Sequence, residues 1–161
     1  MRSRLLRYVV ILAGILAVML PALAACTSYP ASAPAQTSAP PSAPTVTTMN
    51  KADLGDYLVD GKGMTLYYFT KDTVGKSNAS APVIANWPIF YAAEVVVPSN
   101  LKASDFGAIT GFNGQRQTTY KGWPLYYYIK DLKAGDTTGQ GVGGVWYVIN
   151  PQNVPLPPSG S

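Results

Sequence analysis

Asp60-Gly61-Lys62-Gly63-Met64-Thr65-Leu66-Tyr67-Tyr68-Phe69-Thr70-Lys71-Asp72 aligns without a gap onto Thr119-Tyr120-Lys121-Gly122-Trp123-Pro124-Leu125-Tyr126-Tyr127-Tyr128-Ile129-Lys130-Asp131, at an offset of 59. Seven of the 13 positions are identical, Phe69 opposite Tyr128 is a conservative match, and Trp87 falls opposite Trp146 at the same offset. An offset kept over 28 positions signals two copies of one structural unit.

Each copy reads as β. Tyr57–Val59 and Met64–Thr70 are rich in β-branched and aromatic residues, and they flank a Gly-containing turn, Asp60-Gly61-Lys62-Gly63, suited to the positive φ of a hairpin. The second copy repeats this with Gln117–Tyr120, Lys121-Gly122 and Pro124–Lys130. On an extended strand Leu66 and Tyr68 face one way while Tyr67 and Phe69 face the other, so both faces need cover. Trp87 and Trp146 are the expected lids, Glu94–Val97 and Trp146–Ile149 supply further strands, and Asn100–Ile109 holds a short helix around Ser104. The fold class that follows is all-β: a small sandwich or barrel-like domain from two pseudo-symmetric hairpin repeats.

Outward from the repeats the composition changes. Residues 27–48 hold five Pro, five Ala, five Thr and four Ser with no charge, a composition that builds no core. As a polyproline-like tether this segment reaches roughly 68 Å at about 3.1 Å per residue, and its hydroxyls are candidate O-glycan acceptors. Before it, Arg2, Arg4 and Arg7 precede an apolar run, Tyr8–Ala25, ending in Leu23-Ala24-Ala25-Cys26. That is the layout of a signal peptide whose small residues meet a cysteine, the lipobox of bacterial lipoproteins. The competing reading is an uncleaved membrane helix, since 18 apolar residues stand at the lower limit for a span. Both readings put the domain outside the cytoplasm, and the N-terminal arginines agree with that orientation. The organisation is then a lipoprotein signal peptide at 1–25, a lipidated Cys26 and tether at 26–48, the two-repeat β-domain at 49–154 and a Pro-rich tail at 155–161.

Composition removes several chemistries. The chain has 161 residues, one Cys and no His, so the usual general base and commonest metal ligand are both absent, and no intramolecular disulfide can form. The net charge of +4 falls close to neutral once the three N-terminal arginines are removed, which leaves no nucleic-acid footprint.

The two motif copies, Tyr67-Tyr68-Phe69-Thr70-Lys71-Asp72 and Tyr126-Tyr127-Tyr128-Ile129-Lys130-Asp131, both fit Y-x-[FWY]-x-x-D. On these residues, with Ala85-Asn86-Trp87-Pro88 and Gly135-Asp136-Thr137-Thr138-Gly139-Gln140-Gly141-Val142, the chain resembles the predicted bacterial and archaeal lipoproteins defined by that motif, also described as a secreted repeat of unknown function. The resemblance runs from about Leu54 to Pro151 and implies an envelope location without an activity. Many relatives carry a C-x-x-x-C pair where this chain has Ala79 and Val83, so any thiol role of theirs is absent here.

Candidate site residues follow from the motif: Tyr67, Phe69, Asp72, Tyr126, Tyr128 and Asp131, with Trp87, Trp123 and Trp146 as possible ligand-facing aromatics and Cys26 as the lipid attachment point. Asp72 and Asp131 could form a symmetric oxygen-ligand or acid–base pair; turn chemistry favours the other reading, that each accepts backbone N–H groups in the loop that follows. A calcium site through Asp131 and Asp136 lacks EF-hand spacing. Gly139-Gln140-Gly141-Val142-Gly143-Gly144 lacks the Gly-Lys-Ser/Thr ending and helix of a phosphate loop. The tyrosines and tryptophans suit a sugar-stacking platform, an electron-hopping path or, by preference, a core. Asn78-Ala79-Ser80 fits the N-glycosylation pattern.

No metal and no cofactor are expected, and no catalytic residues are assigned. The expected function is that of a membrane-anchored extracytoplasmic lipoprotein, held by its N-terminal lipid, that acts as a non-catalytic binding or structural module toward an extracellular protein or glycan. The alternatives are cell-wall carbohydrate binding through exposed aromatics and an envelope redox or metal-handling protein.

Overall fold

A computed structural model describes residues 43–153. The signal segment, Cys26, most of the tether and the Pro-rich tail lie outside the described residues. The domain is mostly strands: β1 (Val46–Lys51), β2 (Gly55–Asp60), β3 (Tyr67–Phe69), β4 (Phe106–Thr110), β5 (Arg116–Tyr120), β6 (Trp123–Pro124) and β7 (Trp146–Val148), with one short helix, α1 (Ala81–Asn86). They form three small antiparallel sheets, β1-β2, β3-β7 and β4-β5-β6.

The repeat is visible in the pairing. β1 pairs β2 with Val46 opposite Asp60, and β4 pairs β5 with Phe106 opposite Tyr120, so these strands correspond at an offset of 60. The motif strands correspond at 59, and the slip is taken up in the turns. Tyr120 and Trp123 close a two-residue turn, with Lys121 at φ 46° and Gly122 at φ 84°, the positive values of a type I′ hairpin. In the first repeat the loop carries one more residue, closed by Asp60 N–H to the Met64 carbonyl (2.9 Å), with Gly63 at φ 82°. Asp60 Oδ1 accepts the Lys62 and Met64 N–H groups at 2.8 and 2.9 Å and holds this longer turn.

At the centre the two copies meet in an antiparallel bridge. Tyr67 N–H donates to the Tyr126 carbonyl at 2.9 Å, and Tyr126 N–H donates to the Tyr67 carbonyl at 3.0 Å. Farther out, Ile149 N–H reaches the Leu66 carbonyl at 3.2 Å and Phe90 N–H reaches the Leu125 carbonyl at 2.9 Å, again one contact and its counterpart. A local pseudo-twofold axis therefore runs between Tyr67 and Tyr126.

Alternation along the motif strands divides the core in two. Leu66, Leu125, Phe90, Ile149, Trp123 and Tyr120 fill one cluster, with Tyr68 and Tyr127 packed against it. Tyr67, Phe69, Tyr126, Trp87, Trp146 and Val148 fill the other, with Tyr128 packed against it. Both faces are covered, as the apolar character of both faces requires.

Several expectations are corrected. Glu94–Val97 is no strand; it is irregular chain beside the start of β1, where the Val96 carbonyl accepts the Thr45 N–H at 2.7 Å. The helix around Ser104 is a single 3-10 turn (Ala103–Asp105), because Phe106–Thr110 pairs with β5 instead. β1 begins at Val46, inside the stretch read as tether, since Val46 is fully buried in the first cluster. Helix α1 had no place in the sequence reading, although Ser80 at its N-cap and a proline in its first turn are a start signal.

Candidate functional site

The reciprocal geometry of the two motifs is the centre of the site. The Tyr67 hydroxyl donates to Asp131 Oδ2 at 2.7 Å, and the Tyr126 hydroxyl donates to Asp72 Oδ2 at 2.7 Å, so each motif's first tyrosine is held by the other motif's aspartate. Both carboxyl groups are buried. Asp72 Oδ1 accepts the Asn78 N–H at 2.6 Å, and Asp131 Oδ1 accepts the Thr138 N–H at 2.9 Å and the Thr138 hydroxyl at 2.6 Å. Each aspartate therefore fastens its own following loop with one oxygen and the opposite repeat with the other.

Burial sets the electrostatics. Loss of water pushes the Asp72 carboxyl up to about 6, against the opposing pull of the Asn78 and Tyr126 donors. Burial, then the facing carboxylates, raises the Tyr67 and Tyr126 phenols, which stay protonated donors. A third pair, Tyr127 to Asp60 Oδ2 at 2.9 Å, ties the second motif to the first turn and has no counterpart. Its phenol is likewise raised by burial and by Asp60.

The remaining motif aromatics form one column. Trp87 and Trp146, equivalent at the repeat offset, stack with centroids 3.9 Å apart and planes 3° from parallel. Phe69 stacks on the outer face of Trp146 at 4.3 Å, and its equivalent Tyr128 on the outer face of Trp87 at 4.1 Å. Tyr67 meets Trp87 edge-on at 5.4 Å, and Tyr126 meets Trp146 edge-on at 5.2 Å. Offset and edge-to-face contacts of this kind are each worth about 0.5–1.5 kcal/mol beyond burial.

A cleft of about 330 Å³ opens beside this column, lined by Pro82, Val83, Asn86, Trp87, Tyr128, Lys130, Val142 and Trp146. Val83 with Val142 and Trp87 with Trp146 are equivalent pairs, so the cleft straddles the pseudo-twofold axis. Symmetry is broken at its rim, where Asn86 and Lys130 supply an amide and a cation on one side only. The sole ion pair among the described residues is Lys121–Asp105 at 4.0 Å, which leaves Lys130 free of a carboxylate partner.

The structure brings together Tyr67, Phe69, Asp72, Tyr126, Tyr128, Asp131, Trp87 and Trp146. Trp123 is apart from them, in the other cluster, edge-on to Tyr68 at 5.6 Å. The three tryptophans are buried, and both faces of Trp87 and Trp146 are taken by other rings; what the cleft receives from them is their edges. Asn78 is exposed, with its side-chain amide donating to the Lys71 carbonyl at 2.8 Å. Asp136 Oδ2 accepts the Leu132 and Lys133 N–H groups, so it serves the loop that Asp131 begins. No group of three or more carboxylate or thiol side chains with metal-binding geometry occurs among the described residues.

A family model described as a secreted repeat of unknown function matches residues 48–90 and again 107–150, one hit for each half of the symmetric structure. The chain belongs to this family. No curated protein and no solved structure matches it. As secreted repeats, the two halves belong to the extracellular or envelope space. Each repeat contributes a first tyrosine, a stacked ring and an aspartate, and the tyrosine–aspartate hydrogen bonds run between the two matched segments. The cleft residues Val83, Asn86 and Val142 lie in stretches quoted from the sequence but are not among its candidate site residues. Their signal was the Ala-Asn-Trp-Pro stretch and the valine ending the Gly-rich segment, both of which belong to the shared pattern.

Proposed function

We propose that this secreted-repeat protein is a membrane-anchored lipoprotein, attached through Cys26, whose β-domain is a non-catalytic binding module. The observation that carries the binding reading is the cleft on the pseudo-twofold axis: apolar walls from two equivalent valines and two tryptophan edges, with Asn86 and Lys130 at one rim. Concave, mostly apolar sites with a few convergent polar groups are the usual form of ligand pockets. The occupant it suits is a compact apolar group of an extracellular partner, ending in a hydrogen-bond acceptor or anion. The aspartates support the non-catalytic reading, because their oxygens are engaged in holding Tyr67, Tyr126 and the adjoining loops.

Glycan stacking draws less support. A sugar ring packs on an exposed aromatic face, and the faces of Trp87 and Trp146 are covered.

Tryptophan fluorescence during titration with extracellular fractions, peptides and glycans tests the binding reading. A signal that Val142→Trp and Lys130→Ala both remove supports it; binding that both variants leave intact removes the cleft from consideration. Anchoring is tested separately by Cys26→Ser, which is expected to release the protein from membranes or leave it unprocessed. Membrane retention at the mature size would defeat the lipid assignment.

A further inference from the structure

The aromatic column and the two tyrosine–aspartate pairs together have a property that packing alone does not require. Four rings, Phe69, Trp146, Trp87 and Tyr128, stack continuously with successive centroids 4.3, 3.9 and 4.1 Å apart. At its middle lie two nearly parallel indoles, which lose an electron without losing a proton more readily than a phenol does, and both line the cleft. Beside each indole stands a phenol, and each phenol is hydrogen-bonded at 2.7 Å to a buried carboxyl oxygen able to receive its proton.

We propose that this assembly is a one-electron relay: the Trp87–Trp146 pair is the oxidisable site, and Tyr67 and Tyr126 are its internal electron donors, with Asp131 and Asp72 as their proton acceptors. This goes beyond the binding reading and does not depend on it.

The step balances within the chain once an outer-sphere one-electron oxidant reaches the cleft. The oxidant takes one electron from the indole pair and is reduced by one electron. The resulting radical cation is shared between two stacked rings and sandwiched by the faces of Phe69 and Tyr128, which stabilise positive charge. Tyr67 then returns an electron to the indole while its hydroxyl proton crosses to Asp131 Oδ2. The products are a restored indole, a neutral tyrosyl radical and a neutral carboxylic acid, so no net charge is left on the phenol. Tyr126 and Asp72 perform the same step from the other repeat. A one-electron reductant reverses it, and the proton returns along the same hydrogen bond. Positioned proton acceptors at this distance are what make such a transfer effective.

Gly139 tightens the arrangement. Its N–H donates to the Tyr67 hydroxyl at 3.2 Å, and the absence of a side chain lets it lie against Tyr67 and Trp87, where a Cβ would come within 2.8 Å of both rings. The phenol is thereby fixed between an N–H donor and a carboxylate acceptor.

The test is flash photolysis of the full chain, using photogenerated tris(bipyridine)ruthenium(III) as oxidant and following transient absorption. The expected record is an indole radical that decays as a tyrosyl radical appears. In Tyr67→Phe/Tyr126→Phe the indole radical should live several-fold longer and the tyrosyl yield should fall several-fold, the remainder coming from Tyr128, stacked on Trp87, and from exposed Tyr91. Asp131→Asn with Asp72→Asn should slow the decay while leaving the phenols in place. An undiminished tyrosyl yield in the double phenylalanine variant, or no indole radical in the unaltered protein, would overturn the proposal. If the double variant does not fold, electron paramagnetic resonance of the unaltered protein in light and heavy water decides. A tyrosyl radical strongly coupled to at least one exchangeable proton, the one passed to the facing carboxyl group, supports the relay, and one without such coupling defeats it.

Discussion

The Tyr67 hydroxyl reaches across the repeat boundary to Asp131 Oδ2 at 2.7 Å, while the aspartate of its own motif, Asp72, is occupied by Tyr126. Each motif is completed by the other copy, so the pattern read along the chain is not the pattern of contacts.

Double-mutant cycles expose this exchange. Tyr67→Phe and Tyr126→Phe are each expected to cost about 1.5–3 kcal/mol, the range for a hydrogen bond to a charged group. The coupling between Tyr67→Phe and Asp131→Asn should be substantial, whereas Tyr67→Phe with Asp72→Asn should add to within about 0.5 kcal/mol. Urea denaturation of the four proteins in each cycle measures both. Strong coupling within a motif and none across would contradict the exchange.

Asp72 gives the domain an unusual response to acid. Its carboxyl titrates at about 6 when folded, against 3.8 as an ordinary aspartate, so the folded state binds the proton more tightly. The cost of the buried charge is fully present above pH 6 and is relieved as pH falls toward 3.8. Asp72→Asn, which has no proton to gain, lacks this relief. The stability of the unaltered protein relative to Asp72→Asn is therefore expected to rise between pH 7 and pH 4, by an amount on the order of 2–3 kcal/mol. Urea midpoints at a series of pH values follow it, and a difference that stays flat or falls would refute the assignment.

The central indole pair has a spectroscopic signature. Planes 3° from parallel at 3.9 Å couple the two indole transitions, so a circular dichroism band should disappear in either Trp87→Phe or Trp146→Phe and survive in Trp123→Phe. Truncation is more severe: Trp87→Ala or Trp146→Ala should cost about 3–5 kcal/mol. A band retained in both single phenylalanine variants would exclude the stack as its source.

Two neighbouring glycines separate crowding from backbone strain. Gly139→Ala drives a methyl against Tyr67 and Trp87 and is expected to cost about 1–3 kcal/mol while disturbing the aromatic spectrum. Gly141 has φ 75° but open space around its Cβ position, so Gly141→Ala should cost about 1–2 kcal/mol with that spectrum unchanged. Thermal melts and near-ultraviolet circular dichroism distinguish them; equal spectral effects would sink the distinction.

The β character, the duplication and the two buried faces could be read from alternation in Leu66–Phe69 and Leu125–Tyr128, because period-two apolar patterning is a local signal. The pairing of Trp87 with Trp146 was suggested by their common offset, but not that they stack on each other, since an offset relates positions without placing an axis. Glu94–Val97 misled because β-branched residues mark extended chain, and only a partner edge turns extended chain into a ladder. Val46–Lys51 was hidden because Thr47 and Thr48 continue the composition of the preceding Pro/Ala/Ser/Thr segment. The cross-repeat bonds were invisible for a deeper reason: Asp72 lies five residues from its own Tyr67 but bonds the tyrosine 54 residues away, and only the antiparallel bridge brings that partner within reach.

That bridge also governs how such a protein can grow. Because Tyr67 and Tyr126 pair about a twofold axis, the interaction closes on itself and leaves no open end for another copy. A lone repeat would hold a phenol and a carboxyl group without mates, and would find them in a second chain. A third copy in tandem would repeat the same deficit. In this chain the two repeats complete each other as a couple, and by the same geometry its lengthening by duplication would call for two copies at a time.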